Sequence, residues 1–469
     1  MNVCRFFIVF LLASALFAKA PVYVVLSFDT EDYIDPAADD AALRIANDLT
    51  ALGVRATFKV VGEKARVLES RQRADVVQAL SKHAIGFHSN WHSLHPTPSE
   101  YLRRFGYLEG AEEFQRREGP GAADIQRIFG VMPICYGQPG SSWGPQSNLA
   151  LRRMGIPVYL DEGEQVGLDE QPFWYGGLFY VFHMGKNQFR AELNVGDEDK
   201  SAYQRFDDAV ARLSSGGGGV ISIYYHPTEF VTTEFWDAVN FANGAMPARK
   251  DWVRPRRRTT EDSERCFHVL HEFVKHMKEA PGVRFVTAQD LLQIYDGTLP
   301  PAVNSQTIAE HLTRQITFLS AGGATLSPAD MLIQLLHLEP QIIDGPTAPG
   351  LTTWHSDTVP ERLFERGKKD TVAFIMRNHR LPNQVFIAAE TLSLSDFTAT
   401  LAAHILNPAP VVHVVRGRIA FDQYFATDPQ KSFNWPIHPA GFRAPELLDL
   451  GRLQGWTLKP ARLRHSRVN

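Results

Sequence analysis

The sequence predicts an α/β protein: a parallel sheet covered by helices, open or closed into a barrel, followed by a smaller C-terminal domain of different character. Three observations carry this. Between Pro21 and about Gly297, short β-rich runs alternate with longer helical or loop stretches, the pattern of strands joined by crossover helices. The first run, Val22-Tyr23-Val24-Val25-Leu26, is apolar throughout, as a strand buried on both faces should be. The alternation then stops at Asp296-Gly297-Thr298-Leu299-Pro300-Pro301, a turn-rich linker.

Taken in order along the chain, Arg5 precedes an unbroken apolar run from Phe6 to Ala18, too short to span a bilayer and of the length of a signal-peptide core. Ala18-Lys19-Ala20 offers a small-residue cleavage pattern, although Pro21 follows it directly and its fixed φ fits poorly into a protease cleft. Residues 1–20 are therefore read as a signal peptide or an N-terminal anchor. The protein is expected to be exported to the periplasm, the cell envelope or the medium, with membrane contact only through that segment if it is retained. Ala41 to Leu52 reads as a helix and Arg55 to Val61 as the next strand. Gly219 to Tyr225 and Val283 to Val286 read as later strands, with an amphipathic helix from Thr260 to Lys278 between them. These elements make residues 21–297 the first domain.

Residues 298–469 contain a hint of duplication. Leu326-Ser327-Pro328-Ala329-Asp330-Met331 resembles Leu392-Ser393-Leu394-Ser395-Asp396-Phe397, each with a Ser and an acid three residues later in a capping-box pattern. Each is preceded by a β-like run, Ile316 to Leu319 and Val385 to Ile387. This region is expected to be a small α+β accessory domain of two degenerate strand-helix units.

Length and composition set outer bounds. A chain of 469 residues suggests two domains or three. Hydrophobic residues at 44% and charged residues at 21% are ordinary for a globular protein. A formal charge of −4 gives no broad basic field, which argues against nucleic acid as a partner. Beyond Cys4, only Cys135 and Cys266 remain, so no disulfide framework is expected and both are read as unpaired structural residues.

Chemistry concentrates in three places. Ser27-Phe28-Asp29-Thr30-Glu31-Asp32-Tyr33 follows the first strand directly, and acids at the C-terminal end of a parallel strand sit where α/β folds place their active sites. Three carboxylates within four residues repel one another unless a cation or proton lies among them. Phe87-His88-Ser89-Asn90-Trp91-His92 spaces two imidazoles by four residues, on one face of a helical turn and close enough to share one metal ion. His95 adds a third imidazole, but Pro96 ends the turn. Ile223-Tyr224-Tyr225-His226-Pro227 ends a late strand in a histidine, which suits a general acid because its pKa lies near neutrality. Singly, the first reads equally well as a solvated acidic turn, and the other two read better as incidental surface histidines and a hydrogen-bonded strand end.

Together and in this order they resemble the polysaccharide deacetylase (NodB-homology) family of carbohydrate esterases. The acid-rich turn Phe28 to Asp32 is similar to the family's first motif. His88-Ser89-Asn90-Trp91-His92 matches its His-Ser/Thr-x-x-His motif, and Tyr224-Tyr225-His226 is similar to its late Leu-x-His. Arg284 to Tyr295 looks like the end of that domain. The resemblance implies a distorted (β/α) barrel with fewer than eight regular units. It also implies a divalent metal, most often Zn2+, with Co2+ or Ni2+ as alternatives. His88 and His92 are then ligands together with Glu31, Asp32 being held in reserve. Asp29 is the general base toward the attacking water, His226 protonates the leaving amine, and Asp161 is the partner that orients His226. The implied substrate is an N-acetylated polysaccharide: peptidoglycan, a chitin-like chain or an exopolysaccharide.

One departure stands out. The family's third motif is commonly Arg-x-Pro followed by an aromatic residue. Here Gly137-Gln138-Pro139-Gly140 puts glycine at both flanking positions, so no fixed cation lowers the pKa of Asp29 unless one comes from elsewhere in the fold. Alternatives follow from this gap: hydrolysis of another, non-peptide amide, or a weakly active carbohydrate-binding role. Trp354, Trp435 and Trp456 are not assigned as ligand contacts. The C-terminal domain either binds polymer or completes the first domain's core or cleft.

Overall fold

The computed structural model describes residues 20–194 and 200–464. The segment read as a signal peptide or anchor, Ala20 apart, lies outside the described residues, as does Cys4. Among the described residues no helix is long and apolar enough to cross a membrane.

Among the described residues, ten strands join in one curled sheet: β1 (Val22–Thr30), β2 (Thr57–Val60), β3 (Ala84–Phe87), β4 (Cys135–Tyr136), β5 (Val158–Leu160), β6 (Phe173–Tyr175), β7 (Leu178–Val181), β8 (Gly219–Tyr225), β9 (Val283–Val286) and, from the far end of the chain, the strand Lys459–Pro460. Strands β8, β1, β2, β3, β4, β5 and β7 run parallel in that spatial order, with β9 also against the first half of β1. A single parallel bridge between Gln188 and Ser222 spans the gap from β7 back to β8. The architecture is thus a distorted (β/α) barrel. β6 and Lys459–Pro460 extend the sheet antiparallel beyond β7. Helices such as Ala37–Ala51, Tyr107–Phe129 and Thr260–Glu279 turn their buried faces to the outside of this sheet.

The register explains where the chemistry collects. Asp29 of β1 is the lateral neighbour of Lys59 on β2, Val60 of Phe87, Phe87 of Tyr136, Tyr136 of Tyr159 and Phe28 of Tyr225. The residues at or just beyond these positions are Asp29, Lys59, His88, Gly137, Asp161 and His226. Six strand ends therefore present them around one rim, the C-terminal rim on which parallel α/β sheets build their sites.

In the C-terminal third, β10 (Leu319–Ala321) and β11 (Ala324–Leu326) form a hairpin followed by the helix Pro328–Leu335, in which Ser327 and Asp330 make a capping box. After β12 (Thr358–Pro360), a second hairpin of β13 (Gln384–Ile387) and β14 (Glu390–Ser393) leads into the helix Leu394–Leu406, whose Ser393 cap accepts from the Asp396 N–H. β15 (Val411–His413) pairs with β12. The expected strand from Ile316 to Leu319 instead starts at Leu319. Apolar side chains of this third, among them Leu332 and Phe397, belong to the same buried cluster as Leu26 and Phe58 of the barrel. Cys135 and Cys266 are both free and buried, as expected.

Candidate active site

Phe28 buries its ring against Phe58 and Tyr225, so the next residue on β1, Asp29, faces the opposite side, into a cavity of about 450 Å³. Glu31, His88, His92, Asp161 and His226 line the same cavity. The volume is in the ordinary range for small-ligand sites.

Glu31, His88 and His92 converge so closely that one ligand atom from each lies within 4.8 Å of the others. Glu31 Oε2 is 3.3 Å from His88 Nε2 and 3.0 Å from His92 Nε2. The imidazoles do not reach this position on a helical turn, as their spacing predicted. Residues 88–97 form an irregular loop in which Ser89 and His92 hold φ values of 62° and 58°, a left-handed conformation that ordinary residues adopt only where surrounding contacts impose it. Glu118, buried behind the loop, accepts the Asn90 N–H at 2.7 Å and the Tyr101 hydroxyl at 3.1 Å, and supplies part of that constraint.

The three side chains are also oriented from behind. His88 Nδ1–H donates to the Gly137 carbonyl at 3.0 Å. His92 Nδ1 meets Ser93 Oγ at 2.6 Å, and that hydroxyl in turn donates to Asp237 Oδ2 at 3.2 Å. Both rings therefore present Nε2 to the cavity. Trp236 Nε1–H donates to Glu31 Oε1 at 2.9 Å, leaving Oε2 to face the imidazoles. His92 Nε2 is buried with no hydrogen-bond partner, and two neutral imidazoles with one carboxylate leave further coordination positions open. The donor set fits a divalent cation. Burial alone would raise the Glu31 carboxyl, but His92 and His226 outweigh it and hold it well below the usual range. Burial and the Glu31 charge push Asp237 up to about 6.

Asp32, the reserve ligand, is not part of this group. Its Oδ1 accepts the N–H groups of Ile34 and Asp35 at 2.8 and 3.0 Å, and its Oδ2 accepts the Thr228 hydroxyl at 3.0 Å. It shapes the turn behind the site. His95 also stands apart, its Nδ1 2.7 Å from Glu100.

Beside the trio, Asp29 and Asp161 flank one fully buried ammonium: Lys59 Nζ is 2.8 Å from Asp29 Oδ1 and 2.9 Å from Asp161 Oδ2. Asp161 thus does not orient His226, as was expected; it holds Lys59, because β2 lies between the ends of β1 and β5 on the inner face. Glu229 is the carboxylate on His226, with Oε2 3.5 Å from Nδ1, and Arg190 braces it at 2.8 Å. His226 Nε2 lies 3.6 Å from Asp29 Oδ2. Burial would lower the His226 imidazole, but Glu229, Glu31 and Asp29 push it up to about 9. Burial would raise Asp29, but Lys59, His88 and His226 bring it below its ordinary value.

The fixed cation missing from the third motif is therefore present, carried by β2. A Cβ at Gly137 would collide with both Asp161 Oδ2 and Lys59 Nζ, so glycine there is what admits the lysine. Sequence reasoning missed Lys59, though a signal existed: it interrupts the strand Thr57-Phe58-Lys59-Val60, all of whose residues are buried, and a lysine is rarely fully buried unless paired. Glu229, three residues after His226, was legible in the same way as a capping partner. Trp236 and Asp237 gave no local signal.

No family model matches the chain, and no curated protein matches it. Solved structures do. A protein assigned to the polysaccharide deacetylases from Mycobacterium smegmatis shares 15% identity over 59% of this chain and 90% of its own, with a TM-score of 0.38. An allantoinase shares 12% identity over 59% and 90%, at 0.39. A peptidoglycan deacetylase from Bacillus subtilis shares 15% over 59% and 92%, at 0.29. In the order and content of its motifs, the chain resembles the polysaccharide deacetylases.

Proposed function

We propose that this chain is an exported, metal-dependent hydrolase that removes N-acetyl groups from a polysaccharide: peptidoglycan, a chitin-like chain or an exopolysaccharide. The observation that carries the reading is the floor of the cavity: a carboxylate and two imidazoles converging on one point, with Asp29 and His226 side by side next to them. Glu31, His88 and His92 would hold the ion, Zn2+ by preference, with Co2+ or Ni2+ as replacements. When bound, it supplies positive charge that polarises an amide carbonyl and acidifies water.

The chain's own residues divide the proton work. Asp29, kept ionised by Lys59, accepts the proton of the attacking water through Oδ2, because Oδ1 faces the ammonium. His226, protonated at neutral pH, donates to the departing amine nitrogen as the carbon–nitrogen bond breaks. Acetate and a free amine leave. Asp161 keeps Lys59 in place, and Glu229 with Arg190 keeps His226 charged and oriented. In this reading residues 1–20 direct export, residues 21–297 carry the chemistry, and residues 298–469 are an accessory unit that completes the cleft.

The test is acetate release from N-acetylglucosamine oligomers and from peptidoglycan, with chelator and with zinc restored. Chelator-sensitive acetate is expected. A protein that holds one equivalent of metal and frees no acetate from either polymer would overturn the reading in favour of another amide or of binding alone. Asp29→Asn is expected to abolish turnover while sparing metal content; loss of metal instead would make Asp29 a ligand.

A further inference from the structure

The cavity is not made by the barrel alone. Trp435, from the C-terminal third, lines it together with Asp29, Glu31, His88 and His92. Its indole lies flat across Gly140: a Cβ on that glycine would collide with Cγ, Cδ2 and Cε2 of the ring alike. One indole face is thus taken up by backbone that has no side chain to offer. The ring is perpendicular to that of His92, at 5.4 Å between centroids and 89°, so it borders the ion-binding trio directly, and it is only half-buried.

The segment that carries it is fastened to the barrel side from both ends. Gln165 Nε2 donates to the Ser432 carbonyl at 2.6 Å, and Lys431 pairs with Glu164 at 2.8 Å. The Trp435 N–H donates to Ser141 Oγ at 3.1 Å. Beyond it, the Asn243 and Gly244 N–H groups donate to the carbonyls of Pro436 and Ile437 at 2.9 and 3.0 Å, and His438 Nε2 meets Ser99 Oγ at 3.0 Å. Ile437 is buried beside Tyr33 and Trp236. Such a mount holds an aromatic face still, which is what a stacking platform requires.

We propose that Trp435 is the platform of a sugar-ring subsite next to the reacting centre, so that residues 431–437 set which polymer, and how much of it, the cleft accepts. The ligand class is a pyranose ring presenting its apolar C–H face, held by stacking rather than by charge. This rests on the proposed deacetylase reading for the identity of the polymer, but not for the binding itself.

The experiment compares the whole protein with its Trp435→Phe and Trp435→Leu variants. Leu keeps apolar bulk over Gly140 and removes the flat face; Phe restores a face. Metal content and the unfolding midpoint are measured first, to show that the variants fold. Trp435→Leu is expected to raise KM for N-acetylglucosamine oligomers about tenfold, with kcat changed far less, and Trp435→Phe to recover most of the loss. Binding of the same oligomers to metal-free protein is followed in parallel by calorimetry, and is expected to weaken by a similar factor in the Leu variant. Equal KM and equal binding across the three proteins would overturn the platform. Wild-type protein that binds oligomers through Trp435 yet frees no acetate would overturn the deacetylase reading and leave the platform standing.

Discussion

Two lysines five residues apart are both buried, but only Lys59 is paired with carboxylates that line the cavity. Lys59 is the last but one residue of β2 and is 1% exposed; Lys64, in the helix Gly62–Ser70, is fully buried. Both are paired with carboxylate. Lys64 Nζ meets Asp39 Oδ1 and the Asp32 carbonyl, each at 2.5 Å, and Arg71 takes the other Asp39 oxygen at 2.8 Å. The partners of Lys64 are a carboxylate in the first turn of the helix Ala37–Ala51 and a backbone carbonyl of the acidic motif, and neither Asp39 nor Asp32 lines the cavity. Lys59 bridges two carboxylates that also face the cavity. A buried ion pair alone therefore says nothing about function, since desolvation obliges either lysine to find a partner. What separates them is whether the partner has a second face open to substrate.

The largest expected effect falls on Lys59. Lys59→Met leaves Asp29 and Asp161 sharing a dry site without their cation, and one of them must take up a proton. A loss of about a hundredfold or more in kcat is expected, measured as acetate release per metal-loaded molecule. Gly137→Ala disturbs the same contact from the other side and should lose activity in the same direction. Retained kcat in Lys59→Met would reduce Lys59 to the status of Lys64.

Lys64→Met sharpens the contrast by reversing the readouts. Leaving Asp39 buried with only Arg71 should cost about 3–5 kcal/mol of stability in urea unfolding, while turnover per folded molecule stays within about threefold.

His438 offers a buried polar group with no counter-charge in contact. Burial holds its imidazole down to about 4, against an ordinary value of 6.5. Above pH 6.5 neither state is charged and stability is unaffected. Between about 6.5 and about 4 the unfolded chain takes up the proton first, so stability falls with pH by about 3 kcal/mol at most. Urea unfolding of wild type and His438→Gln at pH 7, 5.5 and 4.5 should show a steeper acid loss in wild type. Equal slopes would mean that the ring is hydrated.

The smallest effect belongs to an exposed control. Arg44 and Glu264 pair at 2.5 Å with side chains 45% and 58% exposed, and Arg44→Ala is expected to cost less than about 1 kcal/mol by the same urea measurement. A larger loss would mean that the stacking of Arg44 on Phe267 matters more than its charge.

Much of the barrel was legible because its signals are local. The strand from Gly219 to Tyr225 and the strand from Val283 to Val286 coincide with β8 and β9, and the helix from Thr260 to Lys278 falls within one residue of Thr260–Glu279. Apolar runs and caps act over a few residues, so a linear reading can see them. The acid turn and the two histidines were legible as residues, but their geometry was not. The helical turn assumed for His88 and His92 is an irregular loop held by Glu118, thirty positions or so further on.

By itself, then, the sequence determined the alternation that makes a parallel sheet, and the placing of Asp29, Glu31 and His226 at or just past strand ends. Those follow from hydrophobic periodicity and from chain connectivity, both of which are local. Only the tertiary structure decided which charge stands beside which. Register placed Lys59 next to Asp29, proximity gave Asp161 to Lys59 and Glu229 to His226, and the return of the chain from residue 431 laid Trp435 over Gly140. Electrostatic and stacking partners are chosen by distance in space, and a residue two strands or three hundred positions away leaves no mark on the sequence around the group it serves.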